Sequence, residues 1–189
     1  MIAKYTIAAD RNTGKIKAMD VTTYVDAGCS ADFSDFIAGE MLENIESVYI
    51  TPNYRSTVYL LRTNTASNTA VRAPGLLQAA AVTENMLDEL AASLAMDKEQ
   101  IRLRNMMTAQ QCTPSVKGEG APIADYNMPR IWSELEASAQ MSSRKAQVDE
   151  FNRGNRWKKR GIAMSPLRYG LPFNGAGSTI LDISPCKLH

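Results

Sequence analysis

An amphipathic stripe runs through residues 75–95. Leu76, Ala79, Ala80, Met86, Leu87, Leu90, Ala91 and Leu94 share one helical face, and Glu84, Asp88 and Glu89 fall mostly outside it. A helix of this kind needs a second layer to cover its stripe. Upstream, residues 4–10 and 15–26 read as extended runs joined by Arg11-Asn12-Thr13-Gly14. Asn and Gly tolerate the positive φ of a tight reversal, so a β-hairpin is predicted. In its second arm Ile16, Ala18, Val21 and Val25 are interleaved with Lys, Asp and Thr. Residues 27–35 are small and polar, a loop; a short helix is predicted over 36–45, a brief strand at Val48-Tyr49-Ile50 and another strand at 57–62. Downstream, Asp97 followed by Gln100 has capping-box character and opens a helix over 98–106, with Arg102 and Arg104 in the half where cations suit the dipole. Residues 108–127 read as a long loop. Further helices are predicted from Pro129, carrying Ile131, Trp132, Leu135 and Ala139, and over 143–153, ended by Gly154. Residues 178–183 are strand-like again. Strands, then helices, then strands predict an α+β domain rather than a βαβ alternation.

Composition removes several function classes. The 189 residues carry 21 Lys and Arg against 20 Asp and Glu, a net charge of +1, too little to recruit nucleic acid or anionic lipid. Trp157 followed by Lys158-Lys159-Arg160 therefore reads as a solvated basic turn, not a nucleic-acid stacking platform. No apolar run approaches the length of a membrane span. Met1-Ile-Ala-Lys-Tyr-Thr lacks the layout of a secretory signal. Cys29, Cys112 and Cys186 are far apart and odd in number, so neither a disulfide framework nor a metal site built by cysteines of this chain is expected. The expected compartment is reducing, the cytoplasm. The only histidine is His189, which argues against a Ser-His-Asp triad or a multi-histidine metal site.

One segment carries chemistry. Thr63-Asn64-Thr65-Ala66-Ser67-Asn68-Thr69-Ala70-Val71-Arg72-Ala73-Pro74-Gly75 is a polar, turn-rich loop that feeds directly into the strongest helix. Unpaired N–H groups at a helix start, a forked guanidinium at Arg72 and a glycine that admits close approach make an anion-recognition loop. The same residues fit plain punctuation, because Pro-Gly often precedes a helix and Arg often lies on a surface.

From Thr63 to Asn105 the chain resembles the molybdenum-cofactor domain of the aldehyde oxidase/xanthine dehydrogenase family. Its T-N-x-x-x-N-T-A-x-R-G/A-x-G loop reads here T-N-T-A-S-N-T-A-V-R-A-P-G, and its I-R-x-x-N helix end reads Ile101-Arg102-Leu103-Arg104-Asn105. The resemblance extends to Gly14-Lys15, to Pro52-Asn53-Tyr54-Arg55 and to Trp157-Lys158-Lys159-Arg160-Gly161, covering roughly residues 3–183. The fold it implies is α+β, with strands and a hairpin at both ends around a central helical segment, part of a larger molybdenum-cofactor-binding domain.

The resemblance implies a site residue by residue. Arg72, with Ala73 beside it, takes the place of the arginine next to the molybdenum ligands. Pro74 stands where many xanthine dehydrogenases have a phenylalanine that stacks on substrate, and Glu40 aligns with the position of their upstream arginine. Both departures point toward an aldehyde rather than a purine anion. Phe173, in Tyr169-Gly170-Leu171-Pro172-Phe173, matches the family's second substrate-clamping phenylalanine. The family's G-G-x-F-G-G-K loop, its cofactor-contacting glutamine and its catalytic glutamate are absent, as are iron–sulfur cysteines and a flavin-binding segment. No catalytic residue and no metal-ligating side chain is therefore expected in this chain, which reads as a middle piece of a molybdenum-binding subunit, inactive alone. The implied activity is hydroxylation of aldehydes or N-heterocycles with water-derived oxygen, using a molybdenum cofactor here and iron–sulfur clusters and FAD on other domains or subunits of a homodimeric enzyme. Xanthine dehydrogenase is the alternative subtype. A non-catalytic truncated or structural subunit is the alternative of another class.

Overall fold

The computed structural model describes residues 1–109 and 126–168. Three strands, β1 (Ile2–Ala9), β2 (Ile16–Gly28) and β3 (Asn53–Arg62), form one sheet in that order. Five helices accompany it: α1 (Ser34–Asn44), α2 (Leu76–Leu94), α3 (Lys98–Asn105), α4 (Met128–Ser138) and α5 (Met141–Gly154). This is the expected α+β mixture. The strand predicted at 178–183 and the aromatic at Phe173 lie outside the described residues.

The β1–β2 hairpin forms where Asn12-Thr13-Gly14 promised a reversal. The Asp10 carboxylate accepts the N–H groups of Asn12 and Thr13 at 3.0 and 2.8 Å, and Gly14 takes φ +70°. Ala9 pairs with Ile16 but Ala8 pairs with Ala18, so Lys17 is an extra residue, a β-bulge. The bulge explains the mixed parity of the sequence pattern. Ile16 faces inward before it, Met19, Val21 and Thr23 face inward after it, and Ala18 is only half-buried.

β2 and β3 pair in parallel, Ala18 with Asn53 through Gly28 with Arg62, and α1 lies in the connection. One βαβ unit thus sits inside the α+β fold, which the order of sequence patterns did not suggest. β3 begins at Asn53, four residues before the predicted start. Val48-Tyr49-Ile50 is not a strand of the sheet: Tyr49 makes a single bridge to Met106, and Val48 and Tyr49 are buried as part of the core.

The core has three parts. Met19 and Val21 of the inner sheet face pack with Met41 and Ile45 of the α1 end and with Ala79, Val82 and Met86 of α2. Ile16, Val48, Tyr49, Leu87, Leu90, Ala91 and Ile101 form a second cluster between the hairpin, α2 and α3. Trp132, Met141 and Met164 form a third, at the α4–α5 pair. Asp97 caps α3 as predicted, accepting the N–H groups of Glu99 and Gln100 at 2.9 and 3.0 Å.

Candidate cofactor-facing loop

Because β2 and β3 run parallel, both deliver their C-terminal ends to the same edge of the sheet, and the loop 63–75 starts there. Thr63, Thr65 and Asn68 spend their side chains on holding its shape. Thr63 Oγ1 donates to Asp26 Oδ1 at 2.6 Å, Gly28 N–H donates to the same oxygen at 2.8 Å, and Asn68 Nδ2 donates to the Asp26 carbonyl at 2.8 Å. Backbone bonds join Thr63 N–H to Gly28 O, Cys29 N–H to Thr65 O and Asn68 N–H to Ala27 O, at 2.9 to 3.0 Å. A Cβ on Gly28, which has φ +78°, would fall on the Ala66 carbonyl oxygen. The Asp26 carboxyl is held below the usual carboxylate range, first by the Thr63 hydroxyl and then by the Gly28 N–H.

At the far end the loop is fixed again. Gly75 has φ +72° and ψ −35°, and the Leu76 N–H donates to the Pro74 carbonyl at 2.8 Å, a γ-turn with positive φ. A Cβ there would meet Met41 N at 2.5 Å, Glu40 Cβ at 2.7 Å and Ile37 O at 2.7 Å. The close approach that Gly75 permits is therefore that of the α1 backbone, not of a ligand. Glu40, half-buried on α1, is brought against Gly75 at the start of α2 by this packing. Ala73 adopts φ +58°. Arg72 is exposed, and among the described residues no hydrogen bond or ion pair neutralises it. Arg72, Ala73, Pro74 and Glu40 are thus gathered at one place, the entry to α2. Phe173 lies outside the described residues.

Sequence reasoning missed a second constellation. Arg102 is only 3% exposed, yet charged: its Nε donates to Glu84 at 2.7 Å and its Nη2 to Asp88 at 2.8 Å. Tyr49 OH donates to Glu84 at 2.7 Å, and Lys98 reaches Asp88 at 2.5 Å. Burial opposes the Arg102 charge, but its bonds to Asp88 and Glu84 outweigh that and hold its pKa above the ordinary value. Burial likewise favours the neutral acid at Asp88, and the bonds from Lys98 and Arg102 reverse it, holding the carboxyl below its usual range. Burial first and the Glu84 charge second push the Tyr49 phenol up. Asn105 completes the lock: its amide donates to Gly14 O and Ile101 O and accepts from Ile16 N–H, at 2.8 to 2.9 Å. Arg102 and Asn105 are therefore fasteners of α3 to α2 and to the hairpin. Their spacing in Ile101-Arg102-Leu103-Arg104-Asn105 was the available signal, because residues three apart lie on one side of a helix, here the side turned to the core.

A βαβ unit whose parallel strand ends carry a stapled loop with an exposed arginine just before a helix start has the make-up of an anion-recognition loop. The chain belongs to the molybdopterin cofactor-binding domain family, whose model matches residues 1–106. It is 38% identical over 178 residues to aldehyde oxidase of Homo sapiens, covering 93% of this chain and 13% of that protein. It is 34% identical over 185 residues to xanthine dehydrogenase/oxidase of Felis catus, covering 95% of this chain and 13% of that protein. The aldehyde oxidoreductase structure from Desulfovibrio desulfuricans superposes with a TM-score of 0.67 at 29% identity, over 78% of this chain and 16% of that one. The chain thus spans a small part of the length of the relatives it matches. Among the described residues no helix is long and apolar enough to cross a membrane.

The loop fits the anionic molybdopterin by its donor set. Arg72 offers a guanidinium whose donors are not consumed by the fold, while Thr63, Asn68 and Gly75 are committed to holding it in place.

Proposed function

We propose that this chain forms part of the molybdenum-cofactor subunit of a hydroxylase that oxidises aldehydes or N-heterocycles with water-derived oxygen, nearer in type to the aldehyde oxidases than to the xanthine dehydrogenases. The observation that carries this reading is the unneutralised Arg72 on a loop otherwise fastened at both ends. When bound, the molybdenum cofactor supplies the redox chemistry of the reaction, and the protein supplies orientation and charge. Arg72 contributes a fixed positive charge and a planar fork of donors beside the cofactor. Ala73 keeps that neighbourhood free of bulk. Pro74 offers no ring to stack on a purine, and Glu40, on the neighbouring α1, supplies no guanidinium to pair with an anionic substrate. Phe173 is proposed to position a planar substrate by ring contact.

The base, the iron–sulfur clusters and the FAD come from other segments or subunits of a homodimeric cytoplasmic enzyme. The test is turnover by the whole native assembly that contains this chain, with an aromatic aldehyde, an N-heterocycle and xanthine compared as substrates. Aldehyde oxidation that exceeds xanthine oxidation agrees with Pro74 and Glu40. Xanthine as the preferred substrate would move the protein to the alternative subtype, and turnover of none of them would leave a non-catalytic subunit.

A further inference from the structure

The loop that carries Arg72 has its fasteners far upstream, and one residue connects to it twice. Asp26 stands near the end of β2, where it pairs with Leu61 of β3. Its side-chain oxygen collects Gly28 N–H and the Thr63 hydroxyl, and its carbonyl collects the Asn68 amide. Thr63 Oγ1 also lies 2.9 Å from Thr65 Oγ1. A hydroxyl has one proton, and Thr63 gives its own to Asp26, so Thr65 must be the donor in that second contact. The result is a directed chain, Thr65 to Thr63 to Asp26, which ends on a carboxylate. With residues 63–68 fixed there and Gly75 wedged against α1, only a short arc from Thr69 to Pro74 is left to place Arg72.

We infer that Asp26 is the positioning residue of the Arg72 loop, acting through Thr63, so that removal of its carboxylate charge releases the arc without unfolding the domain. The inference rests on the proposal that Arg72 faces the cofactor. Asp26 does not touch that site; its effect passes through the hydrogen-bond chain. Hydrogen bonds to an ionised acceptor are stronger than neutral ones, so Asp26→Asn weakens the chain while keeping its shape, and Thr63→Val cuts it.

The test is residue-resolved amide hydrogen exchange on the full chain, with Leu87 and Leu90 in α2 as reporters of global opening. In Asp26→Asn and Thr63→Val, protection of the Thr63 and Asn68 amides falls about tenfold or more while the α2 amides keep theirs. Thr63→Ser, which retains the hydroxyl, restores the wild-type protection. Because the folded carboxyl titrates below its usual range, loop protection in the native chain is full above that range and is lost as pH falls from it through the lower, folded value. Asp26→Asn abolishes this pH dependence. Equal losses in the loop and in α2 overturn the positioning role, as does unchanged loop protection. Cofactor retention by the same variants in the whole native assembly separates this inference from the proposed function. Cofactor lost on Arg72→Met but retained on Asp26→Asn sinks the positioning role alone. Cofactor retained on both sinks the assignment of Arg72 to the cofactor and leaves no site for Asp26 to position.

Discussion

Replacing Gly75 with alanine tests the entry to α2 most sharply. Two costs add at that position. A φ of +72° with ψ −35° lies outside every region that alanine readily occupies, which costs about 1–3 kcal/mol. The new methyl would also sit 2.5 Å from Met41 N and 2.7 Å from Ile37 O, both backbone atoms that a side-chain rotation cannot move away. Overpacking of this kind costs about 1–3 kcal/mol more. A loss of about 2–6 kcal/mol is therefore expected, a fall on the order of 10 °C in the thermal midpoint of a domain this size. Urea unfolding followed by far-ultraviolet circular dichroism measures it, with the denaturant slope checked for constancy. Gly39→Ala is the control: it lies within α1 with nothing within 4 Å of the added Cβ, and it should stabilise by about 0.5–1 kcal/mol. A Gly75→Ala variant within about 1 kcal/mol of the parent chain would refute the reasoning and return Gly75 to the ligand side of the loop.

Arg102→Met should cost about 3–5 kcal/mol, because it leaves the half-buried Glu84 without its cation and Asp88 with only the exposed Lys98. Adding Glu84→Gln should recover part of that loss in a double-mutant cycle, and additive effects would contradict the coupling. Acid titration of the folded chain gives the sign of the same network. Asp88 is depressed when folded, so its contribution is present above the usual carboxylate range and is lost as pH falls through its folded value; Arg102→Met should flatten that slope. Asp97→Ala removes the cap of α3 and should cost about 1 kcal/mol by urea unfolding, with Asp97→Ser close to neutral.

Local chemistry was the legible part of this sequence. The hairpin, the α2 stripe and the α3 cap are each written in a few adjacent residues, because turn, periodicity and capping signals act over short separations. The parallel pairing of β2 with β3 was not legible, since nothing in Asn53–Arg62 names its partner strand or the direction of approach. Val48-Tyr49-Ile50 misleads for a related reason: an apolar run long enough for a strand also serves as a buried connector. Arg102 reads as a surface cation until Glu84 and Asp88, 18 and 14 positions earlier, are packed against it. At the candidate site, Arg72 stood out from its own loop, Ala73, Pro74 and Glu40 were picked out by resemblance, and the fold brings the four to one helix entry. Asp26 went unnoticed because its role depends on two strand ends meeting, which the sequence separates by 37 positions. Gly75 carried the right signal with the wrong beneficiary: its missing side chain makes room for α1.

Molybdenum content of the native assembly, measured by elemental mass spectrometry on the parent protein and on Arg72→Met, bears most directly on the Arg72 loop as a cofactor holder. Stoichiometric molybdenum that travels with this chain and falls on Arg72→Met, while Arg55→Met on the exposed sheet retains it, is the predicted result. Molybdenum that is absent from the parent assembly, or that stays unchanged in Arg72→Met, would contradict the account and leave the loop as inherited architecture.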